Sequence, residues 1–551
     1  MSRKPTTVPK TQYAVQLVGP GQLKLNRRKK VFRPGPHQVL ARVEAVGLCF
    51  SDLKLLKQFS AHPRKSEVVA GIGREVLAEI PSYVPGDLPT VPGHEVTCRI
   101  VAVGDAVRRH QVGERCLVQT DYRAIRTAGS NAAFGYNFEG GLQEYVLMDE
   151  RVIIDPASGE RFLIPVPETV SASAIALVEP WACVEDSYVT VERRTLKAGG
   201  RLLVVSDDAS LRGAVPAGLP YAPEGRPAET VVASPAQAAS RPADEMFDDI
   251  IYYGADKAVL EGLNGRIAAR GILNVVLGGR KIGQGVSVGV GRMHYGMTRW
   301  IGTPGGDAAE SYGVIPPTGE VRPGDRVVVV GAGGPMGQMH VIRAVCSGIE
   351  GIRVVAADVD DARLESLGRK ASPMARAEGV DLRLVNTART PLAETFTYIA
   401  LMAPVGALAA NAVRDSAPGC LINIFAGIPA PTRQDRDLDT YIAHRCFMFG
   451  TSGSAIRDMK IVLEKVRSGR LDTDLSVDAV SGMAGAVAGI AAVENRTLAG
   501  KIVVYPMLRD LDLVPLADMP DRLPAVAAKL DDGRWCLAAE KELLKTAGAG
   551  R

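Results

Sequence analysis

Between residues 35 and 150 the apolar positions come in short runs broken by glycine and proline. HQVLARVEAVGL (37–48) alternates in the manner of a strand, and VPGHEVTCRIVAVGDAV (91–107) reads as a strand pair with glycines at its turns. VGERCLVQ (112–119) and GGLQEYVLMDE (140–150) predict two more strands. The period changes at Ser171, where SASAIALVEPWACVEDSYVTVE combines a helix start signal with helical spacing. The pattern is helical again from about 455 to 505 and closes on AGKIVVYP (499–506) as a final strand. Beyond it, AVAAKL (525–530) and CLAAEKELLKTA (536–547) predict two helices in an added C-terminal segment. The longest apolar run, Ala479 to Val493, falls short of the ~20 residues of a membrane span and predicts a buried helix of small residues.

From residue 196 the pattern is α/β and contains an internal repeat. LKAGGRLLVVSDDASLRG (196–213) parallels VRPGDRVVVVGAGGPMGQ (321–338), and FDDIIYYG (247–254) parallels FTYIALMA (396–403). GILNVVLGG (271–279) parallels GCLINIFAG (419–427), and IGTPGG (301–306) parallels FGTSGS (449–454). Four landmarks in one order imply two copies of one α/β domain. In the first copy the stretch 213–245 carries six prolines and reads as loop where a helix and a second strand belong. The expected domains are 1–195, β-rich; 196–318, an eroded copy; 319–455, the intact copy; and 456–551, a return to the first domain with a C-terminal extension.

Composition narrows the classes. A chain of 551 residues allows about three to five domains. Hydrophobic residues at 46% and charged residues at 23% describe a globular protein. The net charge of +4 gives no reason to expect nucleic acid or an anionic membrane as partner. Glycine at 58 residues and aromatics at only 5% favour α/β architecture. The eight cysteines form no CxxC pair, and Met1 to Gln12 is polar with no apolar segment behind it, so the expected setting is a reducing cytoplasm.

The strongest phosphate signal is Gly331-Ala332-Gly333-Gly334-Pro335-Met336-Gly337, set between four valines and the apolar run QMHVIRAV. Strand, glycine turn and helix let the backbone approach a pyrophosphate at a helix N-terminus. A second strand, IRVVAAD, ends in Asp358, 21 residues past Gly337, where an acid would meet a ribose. The loop is one residue longer than G-x-G-x-x-G read from Gly331, and it also reads as Ala332-x-Gly334-x-x-Gly337, so the role of each glycine stays open. The matching loop of the first copy, Ser206 to Leu211, has no glycine and puts Asp207 and Asp208 where an anion would bind. That copy is expected not to bind a dinucleotide.

A second constellation is Gly47-Leu48-Cys49-Phe50-Ser51-Asp52, Gly93-His94-Glu95 and Glu179-Pro180. Thiolate, imidazole and carboxylate suit zinc, but intervals of 45 and 84 residues do not assemble a site by themselves. The plain reading is a core cysteine, a capped histidine and an exposed glutamate.

GLCFSD, VPGHE, GGLQEYV, LVEPWACV, the glycine loop and GKIVVYP stand in an order that resembles the zinc-dependent medium-chain dehydrogenases, over about 10–195 and 319–505. The polyol, threonine and sorbose-phosphate dehydrogenases are the most similar branch. The resemblance implies a GroES-like catalytic domain with a Rossmann doubly wound parallel sheet, one catalytic zinc, NAD, and a polyol, sugar or sugar phosphate as substrate. It implies Cys49 and His94 as zinc ligands, with Glu95 as ligand or close neighbour. Glu179 would complete the site or hold the zinc-bound water, Ser51 would relay the substrate proton, and Asp52 would orient His94. It also implies a dimer or tetramer. There are two departures. The cysteine cluster of a structural zinc is missing from DYRAIRTAGSNAAFGYNFEGG (121–141), so none is expected, and the copy at 196–318 is extra. The Asp358 carboxylate is expected to favour NAD over NADP. In the loop after Cys49, one or two of Lys54, Lys57, His62, Arg64 and Lys65 would meet a phosphate, against the plainer reading of a solvated basic face. A catalytically silent relative and a zinc-free enone reductase are the competing readings, and the intact Cys49, His94 and Glu95 set argues against both.

Overall fold

The computed structural model describes residues 8–208 and 218–546. Its chain falls into two units, Met1–Ala182 with Ser454–Arg551, and Cys183–Gly453.

The first unit is built on an eight-stranded, mainly antiparallel sheet. Gln38–Gly47 lies near its middle, paired with Glu95–Val103, Tyr145–Asp149 and Lys501–Val504. Its apolar side chains are buried along almost the whole strand. The partner Lys501–Val504 comes from the far end of the sequence, so both ends of the chain build one sheet. Ser171 caps the helix Ala172–Ala176 by accepting from the Ala174 N–H, and Val178–Val189 follows as a second helix, as the spacing predicts. Two expectations fail here. The segment 91–107 forms one strand, Glu95–Val103, because its glycines flank the strand and do not interrupt it. The run 479–493 is not one helix but a strand, Val477–Ser481, and a helix, Ala486–Asn495. The break falls at Gly482, where an added Cβ would lie 1.6 Å from the Leu508 carbonyl oxygen, so the returning chain needs glycine there. A short strand, Val514–Pro515, follows Lys501–Val504, which is therefore not the last.

In the second unit the strands are numbered β1 Arg201–Ser206, β2 Glu229–Ala233, β3 Phe247–Tyr253, β4 Ile267–Val276, β5 Val286–Gly289, β6 Arg299–Thr303, β7 Arg326–Val330, β8 Arg353–Asp358, β9 Asp381–Asn386, β10 Phe396–Leu401, β11 Ser416–Ile424, β12 Arg433–Arg436 and β13 Phe447–Phe449. The helices used below are α1 Lys257–Asn264, α2 Val290–Tyr295, α3 Pro335–Val345, α4 Gly406–Arg414 and α5 Leu438–Ala443. One parallel sheet runs β2-β1-β3-β4-β6 and another β9-β8-β7-β10-β11-β13. The central strands are buried on both faces, as crossover helices require, which is why RLLVVS and RVVVV read as unbroken apolar runs. Apart from β9 the two sheets have the same order, and each of the four sequence landmarks falls on corresponding strands.

The proline-rich stretch of the first copy is not all loop. It contains β2, paired in register with β1, and a helix, Pro235–Ser240. The prolines avoid the element interiors. Pro220, Pro223 and Pro227 precede the strand, Pro235 occupies the first helical turn behind the Ser234 cap, and Pro242 follows the helix. Proline count alone therefore misread the segment.

Candidate functional site

In the first unit the buried strand Gln38–Gly47 delivers Cys49 to the start of the helix Phe50–Gln58. The Asp52 carboxylate closes that turn by accepting from the Cys49 N–H at 3.1 Å. Its other oxygen lies 3.0 Å from His94 Nδ1. That bond holds the ring with Nε2 toward Cys49. The Ser51 hydroxyl bridges the two, 3.0 Å from Cys49 Sγ and 3.1 Å from His94 Nε2. Donor atoms of Cys49, His94 and Glu95 all lie within 4.8 Å of one another. They are the only such group of three or more among the described residues.

Glu95 is fully buried. Its Oε1 is 2.5 Å from Lys501 Nζ, which also donates to the Leu48 carbonyl at 2.7 Å, while Oε2 is buried with no hydrogen-bond partner. Oε2 lies against Gly47, where an added Cβ would come within 2.0 Å of it. An orphaned carboxylate oxygen beside a thiol and an imidazole is the donor chemistry of a zinc site. Burial opposes charge on His94, yet the Asp52 carboxylate, with Tyr136, outweighs it and holds the imidazole pKa well above the ordinary value. A metal binding there displaces a proton.

Glu179, at the start of the helix Val178–Val189, is buried but does not belong to the donor cluster. Burial, with the neighbouring Glu95 charge, raises its pKa to about 7 against the pull of His94, Lys501 and Arg64. Lys501 and Tyr136 were not foreseen as site residues. Lys501 lies within GKIVVYP, and a lysine opening an otherwise apolar strand was the available signal. The Tyr136 ring lies 5.9 Å from the His94 ring.

The five basic residues after Cys49 separate. Lys57 pairs with Glu494 at 2.9 Å, and Lys65 is wholly buried on the carbonyls of Val84 and Leu88. The His62 ring packs 5.1 Å from Tyr136, with a pKa pushed down to about 4 by burial and by Arg64 and Lys54. Arg64 sits over the face of Tyr136 at 5.7 Å. Trp181 is core, its indole donating to Ser476 Oγ at 2.8 Å.

In the second unit the glycine loop joins β7 to α3. Gly331 has φ +84° and makes the turn. Gly333 N donates to Asp358 Oδ2 at 2.7 Å, and Gly334 caps α3 with Pro335 in the first turn and Met336 behind it. An added Cβ on Gly337 would lie 2.2 Å from the Gly331 carbonyl oxygen, whereas one on Gly334 would meet nothing within 4 Å. So Gly331 turns the chain, Gly337 packs helix against strand, and Gly334 leaves the backbone open. Asp358 also accepts from the N–H groups of Val359 and Asp360 at 2.8 and 3.2 Å.

In the other sheet Asp207 accepts from Tyr252 at 2.8 Å and faces Arg280 at 3.5 Å. Ala209 to Leu211 of that turn lie outside the described residues. Ser234 follows β2 where Asp358 ends β8, so the acid is missing there for want of a carboxylate, not for want of a strand. His294 and His444 find the Ile424 carbonyl at 3.3 Å and Ser416 Oγ at 3.0 Å.

Residues 35–157 match the alcohol dehydrogenase GroES-like domain. Sorbitol dehydrogenase 2 of Saccharomyces cerevisiae is 29% identical over 179 residues, which is 30% of this chain and 42% of that protein. (R,R)-butanediol dehydrogenase of Bacillus subtilis is 28% identical over 33% of this chain and 46% of its own length. The matches thus span under half the length of these relatives. Among solved structures, 2R,3R-butanediol dehydrogenase from Bacillus subtilis superposes with a TM-score of 0.51 at 14% identity, covering 90% of this chain and 100% of that one. A putative alcohol dehydrogenase from Sinorhizobium meliloti 1021 gives 0.51 at 15%, covering 91% and 100%. At these identities the superpositions speak for the fold.

Proposed function

We propose, from the premise that this chain belongs to the zinc-dependent medium-chain dehydrogenase superfamily, that it is a zinc- and NAD-dependent oxidoreductase acting on the secondary alcohol or ketone of a polyol, sugar or sugar phosphate. The observation that carries the reading is the cluster of half-buried Cys49 with buried His94 and Glu95, and its unpartnered Glu95 oxygen. These three would hold one zinc. Bound there, it supplies Lewis acidity to a substrate oxygen, and the nicotinamide supplies the hydride acceptor or donor. The chain's own groups do the rest. Asp52 fixes the His94 ring. Ser51, whose hydroxyl already bridges Cys49 and His94, takes the alcohol proton and passes it outward. Lys501 balances the buried Glu95. Glu179 stands by as a buried carboxyl that can hold water or join the donors.

In the domain reading that goes with this, 319–455 binds NAD through Gly331, Gly333, Gly334 and Gly337, with Asp358 on the ribose, and 196–318 binds none. Arg64, which lies over Tyr136 and 3.7 Å from Asp121, is the basic side chain we take to meet a substrate phosphate, since Lys65 is wholly buried on backbone carbonyls and Lys57 pairs with Glu494. The setting we propose is cytoplasmic. No helix among the described residues is long and apolar enough to cross a membrane.

Elemental analysis after zinc-replete purification should give one zinc per chain. Cys49→Ala should lose the metal and turnover while the circular dichroism spectrum is kept. A panel of polyols and their phosphates, assayed with both nicotinamide cofactors, should show NAD-linked oxidation. Two zincs, none, or NADP ahead in kcat/KM would overturn the corresponding part.

A further inference from the structure

The two parallel sheets of the second unit are joined through equivalent pieces of each. β5 pairs antiparallel with β12, and each follows in sequence the next-to-last strand of its own sheet, β4 and β11. α2 and α5 come next in each half, both six residues long, and a shift of 148 positions (290 to 438) carries one onto the other. The β5·β12 register is centred on a pair of counterparts under that same shift. Val286 faces Arg436, Val288 faces Gln434, and Ser287 faces Asp435, its own counterpart.

Packing around the pair is reciprocal. Gly302 and Gly450 are counterparts under the shift, as are His294 and Ile442. An added Cβ on Gly302 would lie 2.7 Å from Ile442 of α5, and one on Gly450 would lie 3.1 Å from His294 of α2. Each glycine thus admits the helix of the other half. Gly291 and Asp439 are counterparts too. The Asp439 carboxylate accepts from the N–H groups of Ile282 and Gly283 at 3.0 and 2.8 Å, and Gly291 rests on the Pro429 carbonyl. One apolar core runs through both halves, with Val286, Met293 and Trp300 on one side and Tyr441, Ile442 and Met448 on the other. A contact in which residue i meets j while the counterpart of j meets the counterpart of i is the signature of a two-fold, self-complementary interface. Two unrelated surfaces meeting once have no reason to show it.

We propose that the second unit is a dimer folded into one chain. Residues 196–318 occupy the place that a second copy of the 319–453 half would take, and the faces β5-α2-β6 and β12-α5-β13 cover each other within the molecule. This chain therefore does not associate with another copy through those faces, and any assembly uses other surfaces. Only one of the two halves carries a glycine loop, so the internal pair is asymmetric in ligand binding while symmetric in packing. The inference stands on the second unit's geometry and does not require the catalytic reading to hold.

The full chain tests it. Residues directly opposed across an antiparallel pair have Cα atoms about 4.5–5.5 Å apart, within the range of a disulfide. Oxidised Ser287→Cys/Asp435→Cys should therefore run as one 58.4 kDa chain, with peptide mapping linking 287 to 435 and not any native cysteine. Independently, hydrogen exchange of the wild-type protein should show the same protection in 286–303 and 433–449 from micromolar to nanomolar concentration. A covalent two-chain species, or a folded variant that forms no 287–435 link, overturns the proposal. So does protection that is lost on dilution as sedimentation falls from two chains to one. If the cysteine variant does not fold, the exchange experiment decides alone.

Discussion

Lys501→Met tests how the Glu95 carboxylate is held. In the native protein Glu95 is fully buried and Lys501 is 5% exposed, with Nζ 2.5 Å from Oε1. Oε2 has no other partner, so the substitution leaves a buried carboxylate with neither oxygen satisfied and removes a donor from the Leu48 carbonyl. Breaking a buried ion pair from one side costs about 3–5 kcal/mol, most of it the uncompensated charge. Neutralising the partner should return most of that. Lys501→Met/Glu95→Leu is expected within about 2 kcal/mol of wild type, a recovery of at least roughly 1–3 kcal/mol over the single variant. The assay is urea unfolding of chelator-treated protein, so that metal linkage does not enter. A Trp300→Phe background leaves Trp181 and Trp535, both buried in the first unit, as the fluorescent reporters. A single variant losing less than about 1 kcal/mol, or a double variant no more stable than the single, would refute the argument that the lysine is there to balance Glu95.

Gly337→Ala should abolish NAD binding in a fluorescence titration, because its Cβ would meet the Gly331 oxygen at 2.2 Å, whereas Gly334→Ala should leave the apo fold unchanged and weaken NAD alone. His340 is buried with a pKa pushed down to about 3 by burial and Arg343, below an ordinary 6.5. It is therefore neutral in the fold and protonated in the unfolded chain as pH falls through 6.5, so its contribution is present above that pH and is lost below it. Between pH 7.5 and 5 the second unit should lose about 2 kcal/mol that His340→Gln does not lose, read by Trp300 fluorescence. Glu540 in the C-terminal extension accepts from the N–H groups of Ala172 and Ser173 at 2.7 and 2.9 Å, so Glu540→Ala should destabilise the first unit by about 2–4 kcal/mol in the same urea assay. An unchanged midpoint would mean that the extension does not anchor that helix.

The sequence by itself determined what is local. Four valines, a glycine turn and an apolar helix are contiguous, so β7, the loop and α3 could be read directly, as could the cap at Ser171. The landmark strands were legible because burial on both faces demands continuous apolar runs. Cys49, His94 and Glu95 were named through resemblance, since nothing in an interval of 45 residues brings two side chains together. Tertiary structure decided the rest. It put Lys501, 406 residues distant, on Glu95, because the last part of the chain adds a strand beside Gln38–Gly47. It kept Glu179 out of the donor cluster, and it made a strand of a stretch whose prolines had spoken against one. It also paired β5 with β12 across Ser287 and Asp435, a relation that periodicity cannot express. Local pattern specifies which face an element must bury, while the partner that covers it is selected by packing across the whole chain.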